Sequence, residues 1–130
     1  MSIQMSQTPS SGAGNGARPL ALQAALVVHS DIEQHLLLRR AIRQTGLFSV
    51  VLSAESIETA RDILSDPQAP LLALILIEHA LVDQVLPAMT PAQLGRTAYA
   101  SDAPITDSRH PVLVTPAGPA EIEALLETLS

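Results

Sequence analysis

The chain has 130 residues and a net charge of −6, enough to bury one core but with little cationic surface for a nucleic-acid backbone. Aromatic residues make up only 2%, which argues against base stacking and requires an aliphatic core. All seven basic residues are Arg and Cys is absent, which excludes lysine Schiff bases, P-loops, disulfides and thiolate zinc sites.

Residues 1–20 are rich in Ser, Gly, Gln and Ala and carry no apolar periodicity. We interpret them as a disordered leader that precedes a single domain at residues 21–130. The leader lacks the basic start and apolar block of a signal peptide, and the longest apolar run is too short to span a membrane. We therefore expect a cytoplasmic protein with no membrane partner.

The domain begins with a short apolar run that predicts a first strand at residues 21–28. The spacing that follows predicts a helix at about residues 32–45, capped by Ser30 or Asp31 and ended by Gly46. His35 is expected on its surface. The apolar stripe expected to face the core consists of Ile32, Leu36, Ala41 and Ile42, widened by Leu37 and Leu38.

Two further strands and one helix are predicted before the middle of the chain. Residues 47–52 form the second strand, and residues 57–64 form a helix capped by Ser56. At residues 71–78, seven apolar residues run unbroken into the carboxylate of Glu78. A strand covered on both faces needs no polar alternation, so this run predicts the centre of a parallel sheet.

The second half of the chain is less regular. Residues 81–89 are partly helical in pattern but interrupted by Pro87, and Thr90-Pro91 predicts a new helix start. A weak fourth strand is predicted at residues 96–100, and a loop or single turn at residues 101–110. A fifth strand and a last helix are predicted at residues 112–114 and 120–129.

The alternation of short apolar strands with helices predicts an α/β fold. With right-handed crossovers, five parallel strands flanked by helices give a flavodoxin-like, doubly wound sheet. In such sheets, ligand sites form at the carboxyl ends of the strands. Polar residues stand at or just after the carboxyl ends of three predicted strands: His29 and Ser30, Glu78, and Thr115.

In this layout the chain resembles the receiver domain of bacterial response regulators over roughly residues 22–129. The resemblance places His29 and Ser30 where the family has an acidic pair that holds Mg²⁺. It places Glu78 at the Asp that accepts the phosphoryl group, and Thr97 at a Thr or Ser. The family's Lys-Pro pair corresponds to Thr115 and Pro116.

These residues keep the layout of the pocket but lack its chemistry. Mg²⁺ prefers oxygen ligands, usually with carboxylates among them, and the transferred phosphoryl group needs cations around it. We therefore interpret the chain as a degenerate receiver, or pseudo-receiver, which is not an enzyme and holds no metal or cofactor. Its expected role is that of a signalling and protein–protein interaction module in two-component regulation.

Several residues admit more than one interpretation. Glu78 could mimic an activated receiver, cap a nearby turn or lie solvated at the strand end, or accept a phosphoryl group. His29 and His79 could bind Zn²⁺ with Glu78 or Asp31, titrate as a pH-sensitive pair, or be unrelated. Tyr99 stands at the family's switch aromatic, although a packed or half-exposed core residue is the interpretation we favour. His110, like His35, is expected on the surface.

Two other functions stay open. The chain could be the N-terminal input domain of a longer transcription or RNA-binding regulator, or a sensor of a small ligand or metal at the strand edge. A protein partner is expected, a homodimer is open, and no nucleic acid is expected to bind this segment. The family's fourth helix should lie at residues 101–110, so its shortening or loss leaves the partner-binding geometry undefined.

Overall fold

The computed structural model describes residues 24–106 and 108–129, and the leader proposed for residues 1–20 lies outside them. Within this part, five parallel strands form one sheet in the order β2-β1-β3-β4-β5. The strands are β1 (Ala24–Val28), β2 (Val50–Ala54), β3 (Leu72–Glu78), β4 (Thr97–Ser101) and β5 (Val112–Val114). The helices are α1 (Ile32–Gln44), α2 (Ile57–Ser65), α3 (Val82–Val85), α4 (Pro91–Leu94) and α5 (Pro119–Leu129). The predicted α/β class with a five-stranded parallel sheet is confirmed.

Helices cover both faces of the sheet. Successive strand residues point to opposite faces, so Ala25 and Val27 of β1 pack with α1 and α5, while Leu26 packs with α2 and α3. At the centre, β3 pairs with β1 on one side and β4 on the other, and its residues 72–77 are all buried. This double coverage explains why the apolar run of β3 needs no polar residue before Glu78.

Helix α1 is capped by Asp31, one of the two residues predicted for that position. Its Oδ1 accepts hydrogen bonds from the backbone N–H groups of Glu33 at 2.9 Å and Gln34 at 3.2 Å. At the other end, Gly46 has φ of +71°, a left-handed conformation that glycine adopts without a side-chain clash, as expected of the residue that ends the helix.

The buried stripe of α1 differs from the predicted one. Ile32 is 62% exposed and Leu36 is 56% exposed, while His35 is only 2% exposed. The prediction of a surface His35 is therefore wrong. The prediction that Ile32, Leu36 and Leu37 face the core is also wrong, since Leu37 is 41% exposed. His35 can be buried because its Nδ1 lies 3.1 Å from the carbonyl oxygen of His29 and donates to it. The stripe that faces the sheet consists of His35, Leu38, Ala41 and Ile42.

Strand β2 begins three residues later than predicted. Its register is fixed by β1, which pairs Ala24 with Val50 and Val28 with Ala54. The preceding apolar residues lie in the connection from α1, where Phe48 packs against the core. Helix α2 follows the prediction closely, and Ser56 caps it by accepting from the N–H of Thr59 at 3.2 Å.

Short helical segments connect β3 to β4, as the partial helical pattern predicts. A 3-10 turn, α3 and a second 3-10 turn (Leu86–Ala88) precede α4. Thr90 caps α4 through a reciprocal pair of hydrogen bonds with Gln93, and Pro91 is the first helical residue.

Between β4 and β5, the described residues form no helix, which agrees with the predicted loop. In residues 24–106 and 108–129, none of the helices combines the length and apolarity needed to cross a membrane.

Candidate functional site

A cleft of about 380 Å³ opens where the carboxyl ends of the strands meet, and we call it the carboxyl-end cleft. Three of the predicted site residues, His29, Glu78 and Thr115, come together around it although they are distant in sequence. Further polar lining comes from Asp31, Gln34, His79, Ser101 and Asp102. The cleft follows from the topology, because parallel strands end at the same edge of a sheet.

Glu78 ties the end of β3 to the loop after β1. Its Oε1 accepts a hydrogen bond from the backbone N–H of Ser30 at 2.9 Å and another from the Ser30 hydroxyl at 2.7 Å. The Glu78 side chain is 22% exposed, so these bonds are partly shielded from water. Ser30 therefore belongs to the site through Glu78, and Glu78 acts as a clamp on the β1–α1 loop.

The charge of Glu78 follows from these contacts. Partial burial raises the pKa of Glu78, but the two hydrogen bonds from Ser30 and the nearby His29 lower it by more. Asp31 opposes this lowering through its like charge. The net result is a pKa below the ordinary value of 4.5, which keeps the carboxylate ionised at neutral pH.

His29 is buried, with 7% of its surface exposed, and its Nδ1 has two neighbours. The N–H of Asp31 lies 3.1 Å away and Oε1 of Glu78 lies 3.7 Å away. The Asp31 N–H donates to Nδ1, whereas 3.7 Å is too long for a hydrogen bond with Glu78. His29 therefore stays near the Glu78 carboxylate without a hydrogen bond to it.

Thr97 lies at the other end of β4, away from the cleft. It pairs with Ile75, three residues before Glu78, and its hydroxyl donates to the carbonyl of Gln93 at 2.8 Å. The assignment of Thr97 to the pocket is thus not supported by its position. The residues of β4 that do line the cleft are Ala100 and Ser101, and sequence reasoning missed both. A signal for them exists once the strand pairing is known: β3 and β4 are parallel and Glu78 pairs with Ala100, so Ala100 and Ser101 lie at the same end of the sheet as Glu78.

Thr115 joins the ends of β4 and β5. Its backbone N–H donates to the carbonyl of Ser101 at 2.8 Å, and its hydroxyl lies 3.3 Å from the same oxygen. The peptide bond between Thr115 and Pro116 is cis. Thr115 lines the cleft, whereas Pro116 is exposed beside it.

Tyr99 is a packed core residue, 6% exposed, in agreement with the interpretation favoured from the sequence. Its ring centre lies 5.8 Å from that of His79 and 5.3 Å from that of His110. Burial raises the pKa of Tyr99, with Asp83 adding to this effect and Arg109 opposing it. His110, expected on the surface, is half-buried against this ring.

The carboxyl-end cleft is acidic. Asp31, Glu78 and Asp102 line it, and no Arg is among its lining residues. Within residues 24–106 and 108–129, no group of three or more His, Asp or Glu side chains is arranged to hold a metal ion. An anion entering the cleft would therefore meet carboxylates without a neutralising cation from the described chain.

Comparisons with protein families, with curated protein sequences and with solved structures found no match for this chain. The interpretation of the site consequently depends on its geometry and chemistry.

Proposed function

We propose that the chain is a receiver-like domain of flavodoxin-like fold that is not phosphorylated and acts as a protein–protein interaction module in bacterial signalling. The strand order β2-β1-β3-β4-β5 supports this fold, because it is the order of flavodoxin-like doubly wound sheets. The position of His29, Glu78 and Thr115 around one cleft supports the correspondence with a receiver pocket.

The observation that carries the proposal is the chemistry around Glu78. Its Oε1 already accepts two hydrogen bonds from Ser30, and its neighbours in the cleft include the carboxylates of Asp31 and Asp102. Phosphoryl transfer requires positive groups that neutralise the charge of the transferring oxygens. A phosphoryl donor would instead face three carboxylates, so Glu78 is a poor acceptor.

The Ser30–Glu78 clamp suggests how such a domain works. It holds the β1–α1 loop against β3 without any added group. Because Glu78 is a poor phosphoryl acceptor, such a domain would transmit information through the molecule that binds it. A protein partner is therefore favoured over an enzymatic role.

The test is incubation of the full chain with acetyl phosphate and Mg²⁺, and separately with beryllofluoride and Mg²⁺. We expect no phosphorylated species by intact mass spectrometry and no discrete NMR shifts at Ser30, Glu78 or Thr115. A phosphorylatable receiver domain treated in parallel serves as the positive control. A phosphoryl adduct on Glu78, or a set of shifts centred on it, would overturn the proposal.

The two alternatives can be separated from this proposal. The input-domain alternative uses the same cleft, and the reading frame beyond Ser130 tests it. The metal-sensor alternative has less support, since the described residues offer no group of three ligands. Calorimetric titration with Zn²⁺ tests it, and measurable heat with defined stoichiometry would favour it.

A further inference from the structure

Helix α1 presents a row of apolar and charged side chains to solvent, which we call the α1 ridge. Ile32, Leu36 and Leu37 are 62%, 56% and 41% exposed, respectively. Glu33 and Arg40 are exposed on the same helix. Singly exposed apolar residues are common on protein surfaces, but three on 13 residues of one helix form a patch.

The charges of the ridge have a definite order. Glu33 and Arg40 are seven residues, or about 10 Å, apart along the helix and therefore share a face. Leu36 and Leu37 lie between them. Among the described residues, neither Glu33 nor Arg40 takes part in an ion pair. From Glu33 to Arg40, the exposed side chains are thus acidic, then apolar, then basic.

A second copy of the helix running in the opposite direction presents charges that are complementary to those of the first. If two α1 helices lie antiparallel and cross between residues 36 and 37, Leu36 of one copy faces Leu37 of the other. Glu33 then faces Arg40 of the other copy, and the two-fold axis repeats this pair. Such a contact is isologous, which closes after two copies.

We propose that two copies of this chain associate through antiparallel α1 ridges, with Leu36 and Leu37 at the centre and a Glu33–Arg40 pair on each side. The opposite charges at matching distances from the centre favour a second copy over an unrelated partner. Because α1 is only about 20 Å long, the contact buries less than the roughly 800 Å² per partner of a stable interface. The dimer is therefore a weak, reversible one.

This inference does not depend on the proposed function, because the α1 ridge contains no residue that lines the carboxyl-end cleft. If the proposed function is wrong, the proposed dimer is unaffected, and the reverse also holds. The phosphorylation test addresses the cleft alone, whereas the oligomeric state addresses the ridge alone.

The test is sedimentation of the full chain over a wide concentration range at low salt. We expect a monomer–dimer equilibrium, weakened about tenfold or more by Leu36→Ser. The matched control is Leu71→Ser, which removes a side chain that is 74% exposed just before β3, outside helix α1, and should leave the equilibrium unchanged.

Charge reversal tests the antiparallel arrangement. Glu33→Arg alone and Arg40→Glu alone each replace two attractions by two repulsions, so each variant should be monomeric. Their mixture should dimerise again, because every repulsive pair becomes attractive in the mixed dimer. The double variant E33R/R40E should dimerise like the unmodified chain, with circular dichroism confirming that each variant is folded. A chain that is monomeric at all concentrations, or charge variants whose mixture and double form stay monomeric, would overturn the inference.

Discussion

The two ends of the sheet use their polar groups in different ways. At the amino ends of β3 and β4 lies a larger cavity of about 630 Å³, the amino-end pocket, which includes Arg96 and Gln93. Arg96 donates to the carbonyl oxygens of Ala73 and Leu129, both at 2.8 Å, and Gln93 donates to that of Leu64 at 3.0 Å. These polar groups hold chain segments together, so the amino-end pocket is structural in character.

The smaller carboxyl-end cleft contains a hydrogen-bond acceptor that has no donor among the described residues. The buried Oε1 of Gln34 has no hydrogen-bond partner among the described residues, and the carboxylate of Asp102 also lines the cleft. The contrast teaches that cavity size is a poor guide to the site in this fold. In this molecule the smaller cleft is the one that brings carboxylates together, at the strand ends where sites form in open parallel sheets.

The largest effect is expected at the amino-end pocket, from Arg96→Met. This change leaves the carbonyl oxygens of Ala73 and Leu129 without their donors, which should lower the free energy of unfolding by about 2–3 kcal/mol. Urea denaturation measures the loss. Arg109→Met, at an exposed arginine before β5, should change it by no more than about 0.5 kcal/mol. Equal losses in the two variants would contradict the structural role of the amino-end pocket.

A smaller, pH-dependent effect is expected from Glu78→Gln. The ionised carboxylate accepts two hydrogen bonds, and its partial exposure reduces their contribution, so we expect a loss of about 1.5 kcal/mol at pH 7. Since the folded-state pKa of Glu78 is lowered, this stabilisation is fully present above the ordinary value of 4.5. It disappears as the pH falls through the folded-state pKa. Urea denaturation from pH 7 down to pH 3 checks this, and a loss independent of pH would contradict it.

Thr97→Val distinguishes the two ends of β4. The variant loses the hydrogen bond to Gln93, with an expected destabilisation of about 1 kcal/mol. NMR shifts of Glu78 and Thr115 should stay unchanged, because Thr97 lies about 10 Å back along the strand. Ser101→Ala is the comparison, and it should move the shifts of Thr115. Large changes in the NMR shifts of Glu78 in the Thr97 variant would indicate that Thr97 belongs to the site after all.

The smallest effect is expected from Thr115→Lys, which adds a cation beside Asp31, Glu78 and Asp102. Attraction to these carboxylates should raise stability by about 0.5 kcal/mol at low salt, and the gain should fade as salt is added. Denaturation at two ionic strengths measures it. Thr115→Gln, similar in length but uncharged, is the control, and a gain of the same size in this variant would argue against an acidic cleft.

Much of the fold could be predicted because local signals agreed with the tertiary structure. The apolar run of β3, the Ser56 cap and the Thr90-Pro91 start each specify one local structure, and each was found. Strand β5 was also found at residues 112–114, where prolines bound it on both sides. The convergence of His29, Glu78 and Thr115 followed from the topology alone.

The wrong predictions concern the buried face of helix α1 and the position of Thr97. Helix α1 contains two possible apolar stripes, and the one chosen from the sequence left His35 at the surface. The structure uses the other stripe, since His35 gains a bond to the carbonyl of His29. Thr97 was misplaced for a different reason. The resemblance put it at the end of the fourth strand, whereas β4 begins at Thr97 and continues to Ser101 at the cleft.

The arrangement around Tyr99 provides an optical probe of this protein. The chain contains one Tyr and no Trp, so its ultraviolet emission comes from a single known phenol. The ring of that phenol contacts His79, which lines the carboxyl-end cleft, and His110, in the connection before β5 whose described residues form no helix. Occupancy of the cleft, or movement of that connection, should therefore be readable as a change in tyrosine fluorescence without any label.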